Sequence, residues 1–401
     1  MVLKILTLNC WGLLVVAKHR AQRIRAIGEV IAAGEYDVVC LQEVWLERDF
    51  ALLKEKAKGS LPYSHYFYSG VTGSGVCVLS KHQIQDVFFH QWPVNGYIHK
   101  IQHGDWFGGK GVGLCSLKIN NFNCSLKINN FNINVYSAHL HAEYNRASDE
   151  YQAHRVLQAF DTAQFIQLTS GSSDLVILAG DLNTEPGDLA YRIIMNVARF
   201  KDSYLEVKDE NPPARFGTNE TSENSYTPKC LVKKGFVGKR IDYIMYHGSE
   251  SINVILKNYR LPLPNRVPNC NFSYSDHEGV AAEFELEKSN GEKFEDKNAD
   301  SAAVLKESIQ ICNDALSNLK TTAIIYWFIT AFLFLLLVSS IPFDAPFGYR
   351  YVIHIVRGLL TLFLTFTLIM GSLWHKIESH GILSGRLAME ATLKKYESIS
   401  K

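Results

Sequence analysis

The strongest constraint on this chain is an uncharged apolar segment near its carboxyl end, residues 322–341. At about 20 residues, the segment is long enough to cross the hydrocarbon core of a bilayer as a helix. A second apolar segment, residues 352–374, carries Arg357 near its start, and a long arginine side chain can reach the bilayer surface from there. Residues 342–351 between the two are rich in turn-forming types. The pair predicts a transmembrane hairpin, and two buried helices of a soluble domain are the alternative.

The sequence divides into four predicted parts. Residues 1–286 form one large domain, and residues 287–320 comprise a charged linker and an amphipathic helix. Residues 321–375 contain both spans, about 322–341 and 352–374, and residues 376–401 form a tail. The amphipathic helix is predicted from apolar residues three and four positions apart, namely Leu305, Ile309, Cys312, Leu316 and Leu319. Such a helix could lie on a bilayer, pair with another chain or pack on the large domain.

Charge and cysteine content favour a cytosolic domain that does not bind nucleic acid. The chain of 401 residues has a net charge of only +1, whereas phosphate backbones are bound by clustered Lys and Arg. Its eight cysteines form no CxxC pair, and Cys10, Cys40, Cys77 and Cys115 lie in apolar segments, as expected of reduced core residues. The amino terminus lacks a secretory signal. We therefore expect both ends of the hairpin to face the cytosol.

The large domain combines many short strand-like segments with helix-like segments near residues 20–33 and 149–169. Elements of these two kinds bury their apolar faces against each other in layers. The pattern by itself predicts a two-layer α/β sandwich.

One nonapeptide, CSLKINNFN, occurs twice in succession, at residues 115–123 and 124–132. A single copy would make a hairpin that turns at Asn120 and Asn121. Because nine is odd, sliding a strand by one copy would turn its apolar face outward. We expect the extra nine residues to leave the sheet edge as a loop or ribbon, unless the repeat is an artefact of the gene sequence.

Polar residues follow the predicted strands at their carboxyl ends. Residues 175–178 form an apolar β-branched run, and Asp181 and Asn183 come directly after it. In layered α/β folds, ligands bind at this edge. Other predicted strands are flanked in the same way, by Asn9, Glu43, His139, His141, Arg240, Asp242, Asp276 and His277. We expect this series to converge on one cleft.

The chemistry of the series is coherent. A carboxylate can hold a hard Mg²⁺ ion through oxygen, and asparagine side chains can orient a phosphate or a water molecule. A histidine oriented by a carboxylate can take a proton from water near neutral pH. Together these groups predict a phosphodiester hydrolase.

Seven stretches carry a family resemblance: LNCWG, GSGVCVLSKH, HGDWFGGKGVG, HLHAEYN, GDLN, RIDY and SDHE. They resemble the endonuclease/exonuclease/phosphatase superfamily, which has the fold of deoxyribonuclease I, and within it the neutral sphingomyelinases of the sphingomyelin phosphodiesterase 2 type. The resemblance implies a four-layer α/β/β/α sandwich followed by a membrane hairpin. It also implies Mg²⁺-dependent hydrolysis of sphingomyelin to ceramide and phosphocholine, lipid headgroups as partners, and residence in the endoplasmic reticulum or another intracellular membrane.

The resemblance also implies roles on the metal side of the cleft. Glu43 would bind Mg²⁺, and Asn9 would be a secondary ligand or a phosphate contact. Asp276 would support the metal, directly or through water.

On the opposite side, the resemblance implies that His277 is the general base and that Asp242 orients it. Asp181 and Asn183 would position the attacking water and the phosphate. His139 would donate hydrogen bonds to the phosphoryl oxygens of the transition state.

The stretch GDWFGGKGVG, residues 104–113, is rich in glycine and carries two charged residues. Its spacing does not fit a nucleotide-binding P-loop, but in sphingomyelinases a similar segment lies beside the active site, which makes Asp105 and Lys110 candidate substrate-binding residues. The alternative is a glycine-rich hairpin with exposed charges. Trp106 and Phe107 could contact a membrane or pack internally.

Two other functions remain open at this point. One is a related phosphoesterase, in particular a phospholipase C acting on lyso-phospholipids, because the same residues recognise a phosphate ester and not what it carries. The other is a membrane scaffold that has kept the fold without catalysis. The oligomeric state is left open.

Overall fold

The computed structural model describes residues 1–100, 102–122, 128–207, 217–289, 298–343 and 349–399. The chain separates into two compact units, Met1–Val304 and Leu305–Ile399.

The described part of the first unit contains twelve strands and five α-helices. The strands are β1 (Val2–Asn9), β2 (Val38–Gln42), β3 (Tyr63–Tyr66), β4 (Cys77–Ser80), β5 (Ile84–Gln91), β6 (Gly111–Phe122), β7 (Ile128–His139), β8 (Leu175–Asp181), β9 (Lys201–Asp202), β10 (Asp242–Gly248), β11 (Ile252–Arg260) and β12 (Val280–Lys288). The helices are α1 (Arg20–Ala32), α2 (Glu47–Ala57), α3 (Gln152–Thr169), α4 (Leu189–Val197) and α5 (Lys229–Lys233). The predicted helices near residues 20–33 and 149–169 correspond to α1 and α3.

The strands form two six-stranded sheets that stack face to face. The first sheet has the order β11-β12-β1-β2-β4-β3, and the second has the order β5-β6-β7-β8-β10-β9. Residues of both sheets, such as Ile5 and Cys40 of the first and Val135 and Ile177 of the second, share one buried core between them. Alternate residues of each strand point the other way, so each sheet also has an outer face to cover.

Helices cover both outer faces. On the first sheet, Leu6 and Leu41 pack with Ile27 of α1 and Leu53 of α2. On the second sheet, the Tyr136 hydroxyl lies 2.7 Å from Oγ1 of Thr169 in α3, and α3 packs along α4. The architecture is therefore the four-layer α/β/β/α sandwich that the resemblance implied. The two-layer prediction fell short, because a strand pattern does not show that one sheet stacks on another.

Strand direction explains why polar residues meet at one edge. β1 runs parallel to β2, with Asn9 opposite Gln42, and β7 runs parallel to β8, with His139 opposite Asp181. β10 is antiparallel to β8 and begins where β8 ends, with Asp242 opposite Asp181. Carboxyl ends of parallel strands lie together, and the start of β10 joins them.

The repeated nonapeptide lengthens the β6–β7 hairpin. The two copies pair with each other in antiparallel register, from Lys118 opposite Asn132 to Phe122 opposite Ile128, and the tip at residues 123–127 lies outside the described residues. Neighbouring strands reach only Leu117 of β6 and Ile133 of β7, so the paired copies extend past them as a ribbon. The ribbon projects from the end of β7 opposite His139. The ribbon predicted at the sheet edge thus leaves the sheet at the ends of two interior strands, β6 and β7.

The second unit is helical. Asn298–Ser339 is one continuous helix, α6, and Arg350–Ile369 (α7) continues through a π-helical turn, Met370–Trp374, into His375–Ile399 (α8). By length and composition, two stretches are able to cross a membrane: Asp300–Ser339, 11% buried over its most apolar window, and Tyr351–Ser398, 6% buried. The span limits and the four-part division of the chain stay predictions.

Contacts between the two long helices have the pattern of a hairpin. The hydroxyl of Thr330 donates to that of Thr367 at 2.9 Å, and the Arg357 guanidinium caps carbonyls at the end of α6, among them that of Ser340. Farther along, Arg386 of α8 donates to Asn313 of α6 at 2.8 Å. The amphipathic part of α6 therefore packs against α8.

Candidate active site

Asn9 lies at the centre of the polar edge and joins the two sheets. Its side chain is 1% exposed. The amide nitrogen donates to Glu43 Oε1 at 3.1 Å and to Asp181 Oδ2 at 2.9 Å. One amide therefore bridges a carboxylate that follows β2 of the first sheet and one that ends β8 of the second.

Glu43 is held in an unfavourable environment. Its φ angle is +56°, in the left-handed region that residues other than glycine seldom adopt. Burial and the neighbouring carboxylate of Asp276 raise the pKa of Glu43 to about 7, against the opposing hydrogen bond from Asn9. Two carboxylates close together in a buried place repel each other. A cation bound through oxygen would relieve that repulsion, and divalent cations such as Mg²⁺ take carboxylate and amide oxygens as ligands.

His277 and Asp242 form a hydrogen-bonded pair on the other side. His277 Nδ1 lies 2.9 Å from Asp242 Oδ2, and His277 Nε2 lies 3.8 Å from Asp181 Oδ2. Burial lowers the pKa of His277, but Asp242 and Asp181 outweigh it and hold the pKa well above its usual value. Because Asp242 fixes Nδ1, the other ring nitrogen of His277 faces the cleft floor near Asp181.

The same residues form a possible metal site of their own. Ligand atoms of Asp181, Asp242 and His277 lie within 4.8 Å of one another. A cation held by all three would have to displace the proton that His277 and Asp242 share at 2.9 Å. The Glu43 side lacks this conflict, since the contacts of its carboxylate are to the Asn9 amide and, at 3.4 Å, to the indole of Trp45.

Asp181 links the two sides. Burial and the nearby Asp242 raise the pKa of Asp181 to about 6, while His277 and hydrogen bonds from Asn9 and Asn183 oppose the rise. The backbone amide of Asn183 donates to Asp181 Oδ1 at 3.0 Å, and its side chain donates to the Leu140 carbonyl at 3.0 Å. Asn183 has a φ of +44°, so the sharp turn after β8 directs these groups into the site.

Lys110 and Asp105 are buried beside His139, so the alternative of a hairpin with exposed charges is wrong. Lys110 is 3% exposed; its ammonium lies 2.5 Å from Asp105 Oδ1 and 3.3 Å from His139 Nε2. The same nitrogen of His139 lies 3.5 Å from Asp181 Oδ2. Burial and Lys110 hold the pKa of His139 well below its usual value, which favours a neutral ring.

Two other histidine and arginine candidates lie outside this constellation. Arg240 forms an ion pair with Asp202 at 2.7 Å, both 1% exposed. His141 is buried against Asp105, with 3.6 Å between Nε2 and Oδ2, and its ring stacks on Tyr151 at 4.0 Å between centroids. Both residues support neighbouring elements.

Sequence reasoning missed Arg23. Its buried guanidinium donates to the carbonyls of Cys10 at 2.7 Å and Tyr274 at 3.1 Å, and so ties the loop after β1 to the loop before His277. The available signal was position, because Arg23 lies one turn from Ile27 on the buried face of α1. An arginine on such a face requires internal acceptors.

Side chains from both sides of the site open into one cleft of about 1020 Å³. Its lining includes Glu43, His139, Asp181, Asn183 and His277. Glu43 and His277, more than two hundred positions apart, therefore face the same space, as the sequence predicted.

Comparison with known proteins assigns the family. Residues 6–277 match the endonuclease/exonuclease/phosphatase family. The chain belongs to that family. The chain is 39% identical, over 98% of its own length and 98% of the other's, to a Drosophila melanogaster protein named putative neutral sphingomyelinase. It is also 40% identical to human sphingomyelin phosphodiesterase 2, over 70% of this chain and 64% of that one.

A solved structure supports the fold of the family domain. A crystal structure of TDP2 from D. rerio, in complex with a single-strand DNA product, matches 71% of this chain and 99% of that one with a TM-score of 0.53. At 18% identity this likeness shows the fold alone. The predicted resemblance to neutral sphingomyelinases is confirmed by the relatives, and the sandwich by the structure.

Proposed function

We propose that this protein is a Mg²⁺-dependent neutral sphingomyelinase, a phospholipase C-type enzyme that hydrolyses sphingomyelin to ceramide and phosphocholine. The observation that carries the proposal is the hydrogen-bonded pair of His277 and Asp242, which faces Asp181 and the Glu43–Asn9 pair in one cleft. The full-length similarity to a putative neutral sphingomyelinase supports the substrate.

The metal would be held on the Glu43 side. Glu43 would provide oxygen ligands, and Asp276 would add negative charge beside it, which fits the carboxylate repulsion at Glu43. Asn9, whose amide nitrogen faces Glu43, would be a secondary ligand or a phosphate contact. When bound, Mg²⁺ would neutralise charge on the phosphoryl oxygens and on the departing ceramide alkoxide.

His277 would act as the general base. Asp242 accepts the proton on Nδ1. With Asp181 and Asp276 screened by a bound cation, the raised pKa of His277 would fall, and Nε2 would be free to take a proton from a water molecule. Asp181, 3.8 Å from that nitrogen, would accept the water's other hydrogen and orient it for in-line attack on phosphorus.

The phosphate would be held by neutral and positive donors. His139 would donate to phosphoryl oxygens in the transition state, and the buried ammonium of Lys110, 3.3 Å from His139 Nε2, would support negative charge there. The side chain of Asn183 would contact the same phosphate. Asp105 would keep Lys110 in place through their ion pair.

The proposal also covers the division of the chain into parts and its placement at a membrane. Residues 1–286 would be the catalytic domain, residues 287–320 the linker and amphipathic helix, and residues 321–375 a two-span membrane anchor. The catalytic domain and the tail, residues 376–401, would face the cytosol from the endoplasmic reticulum or another intracellular membrane. Anchoring would raise the effective concentration of lipid headgroups at the cleft.

The test is release of phosphocholine from labelled sphingomyelin by the purified full chain, with Mg²⁺ and with EDTA. Lyso-phosphatidylcholine and lyso-platelet-activating factor are assayed side by side. We expect release from sphingomyelin to be fastest and to stop in EDTA. Faster turnover of either lyso-lipid would assign the lyso-phospholipase C function, and no release from any of the three by folded protein would favour the scaffold.

A further inference from the structure

Four consecutive aliphatic residues are exposed beside the cleft. Leu13, Leu14, Val15 and Val16 are 40%, 59%, 92% and 59% exposed, respectively. Scattered exposed apolar residues are ordinary on protein surfaces, but a contiguous run of four usually marks a contact with a partner or a membrane.

The run forms an ordered turn. The amide of Ala17 donates to the Leu13 carbonyl at 3.2 Å. Arg23 holds both sides of the turn, since Nη2 donates to the Trp11 carbonyl at 2.7 Å and Nε donates to the Lys18 carbonyl at 2.9 Å. The backbone is thus fixed at its base while the aliphatic side chains point outward. We call residues 13–16 the apolar turn.

The apolar turn begins at the metal side of the proposed active site. A Cβ atom on Gly12 would lie 2.1 Å from the Glu43 carbonyl oxygen, so only glycine permits this close approach. All four residues of the turn line the cleft that contains Glu43. The turn is therefore part of the cleft mouth.

A second exposed apolar pair lines the same cleft. Tyr68 is 67% exposed and Val71 is 77% exposed. The amides of Val71 and Thr72 donate to the Phe107 carbonyl at 3.0 Å and 3.2 Å, which fixes this segment to the glycine-rich stretch. Phe107 is half-buried, and its ring packs on Trp106 at 5.1 Å between centroids. The membrane contact predicted for those aromatics is better made by the segments around them.

We propose that the apolar turn, with Tyr68 and Val71, docks on the surface of a phospholipid bilayer and holds the mouth of the cleft against the headgroups. The inference rests on the proposed function, because a two-chain lipid substrate must reach the cleft without leaving the bilayer. Continuity of both apolar segments with the cleft favours the bilayer over a protein partner, since a partner seated there would close the entrance. Aliphatic residues that enter the acyl boundary and a tyrosine at headgroup level suit such an interface.

The first test compares Val15→Asp with a matched control, Leu168→Asp. Leu168 is 79% exposed near the end of α3 and does not line the cleft described above. Each full chain is assayed on sphingomyelin in phosphatidylcholine vesicles and, in detergent, on a water-soluble short-chain analogue. We expect the ratio of vesicle to short-chain turnover to fall about tenfold in Val15→Asp, equivalent to about 1.4 kcal/mol, and to keep the wild-type value in Leu168→Asp. An equal ratio in all three proteins would overturn the proposal.

The second test needs no substrate. Val15→Cys and Leu168→Cys chains are labelled with an NBD fluorophore in vesicles that contain doxyl-labelled lipid, and the unsubstituted chain is labelled as a blank because Cys230 is exposed. We expect quenching at position 15 and none at position 168. Absence of quenching at position 15 would refute docking. Docking would also be refuted if the wild-type chain self-associated in detergent and Val15→Asp abolished that self-association. If the wild-type chain released no phosphocholine from vesicles or from the short-chain analogue while the labelled Val15→Cys chain was quenched, the proposed function would be refuted and the docking would stand.

Discussion

At the scale of single residues, Glu43 combines a left-handed backbone with a carboxylate that burial and Asp276 destabilise. Such a residue is unfavourable for folding unless it gains a ligand, and strain of this kind concentrates at functional sites. Glu43 should therefore contribute to the free energy of unfolding only when a cation is bound.

Replacing Glu43 by glutamine tests this expectation. In the wild-type chain, Mg²⁺ at about 100 times its Kd should raise the free energy of unfolding by about 2.7 kcal/mol. Glu43→Gln should lose this gain, because a neutral amide binds the cation weakly, while its stability in EDTA should not fall below that of wild type. Thermal unfolding in detergent, with Mg²⁺ and with EDTA, measures both. Glu185→Gln is the control, since Glu185 lines the same cleft but pairs with Arg146; an unchanged Mg²⁺ response in Glu43→Gln would remove Glu43 from the metal site.

Replacing His277 by alanine tests the base. Turnover should fall on the order of 10²- to 10⁴-fold, because the variant lacks the group proposed to take the proton from water. Initial rates of phosphocholine release at saturating sphingomyelin give the comparison. His82→Ala, at a histidine beside Asp37, should keep wild-type turnover. If His277→Ala did so as well with an intact fold, the base assignment would be wrong.

The buried Arg23 is expected to position the loop after β1 and the loop before His277. Replacing Arg23 by lysine keeps the charge, but one ammonium cannot reach the carbonyls of Cys10, Trp11, Lys18 and Tyr274 together. We expect a loss of about 3 kcal/mol in the free energy of unfolding, from hydrogen bonds to a charged group and buried carbonyls left unpaired. Urea unfolding followed by fluorescence measures the loss. Arg25→Lys, on the exposed face of α1, is the control, and equal stability of the two variants would contradict the role.

At the scale of elements, the β6–β7 ribbon shows how a sheet accommodates an insertion. Both strands gain length together and pair with each other, so the register toward His139 is kept, with Leu117 opposite Ile133 and Ala138 opposite Val112. Inserted residues that extend a hairpin symmetrically leave each remaining side chain on its face of the sheet.

Deletion of residues 124–132 should therefore leave the active site intact. Leu117 and Ile133 would still pair, now joined by a six-residue connection over residues 118–123. We expect phosphocholine release to persist and the free energy of unfolding to stay close to that of wild type, because the remaining copy supplies Phe122 two positions before Ile133, where buried Phe131 stood. Activity assays and urea unfolding of the deletion variant check both. Loss of activity in a folded variant would show that the ribbon supports the site.

At the scale of the whole molecule, a hydrolase domain and a helical unit are carried by one chain. The helical unit has two long apolar stretches whose side chains remain mostly exposed, and exposed apolar surface of this extent is stable in lipid and unfavourable in water. Anchoring would then confine the cleft to the bilayer where its proposed substrate resides.

A charged substitution in the first predicted span tests the anchor. Leu335→Arg places a charge near the middle of an apolar helix, which costs about 3 kcal/mol for insertion. We expect a smaller fraction of this variant to resist extraction of membranes with alkaline carbonate. Leu387→Arg, in α8 outside the predicted spans, should extract like wild type. Full resistance of Leu335→Arg would count against a span at this position.

The sequence by itself was enough to predict two long apolar segments and the meeting of the strand-end residues Glu43, Asp181 and His277 in one cleft. These features depend on hydrophobic period, segment length and strand direction, which are properties of residues close together in the chain. Only the tertiary structure decided that Arg240 turns away to Asp202 while buried Lys110 approaches His139. The same is true of Arg23, which reaches Tyr274, 251 positions away. The physical reason is that a buried charge takes whichever partner the packing brings near, and packing between distant segments leaves no local pattern in the sequence.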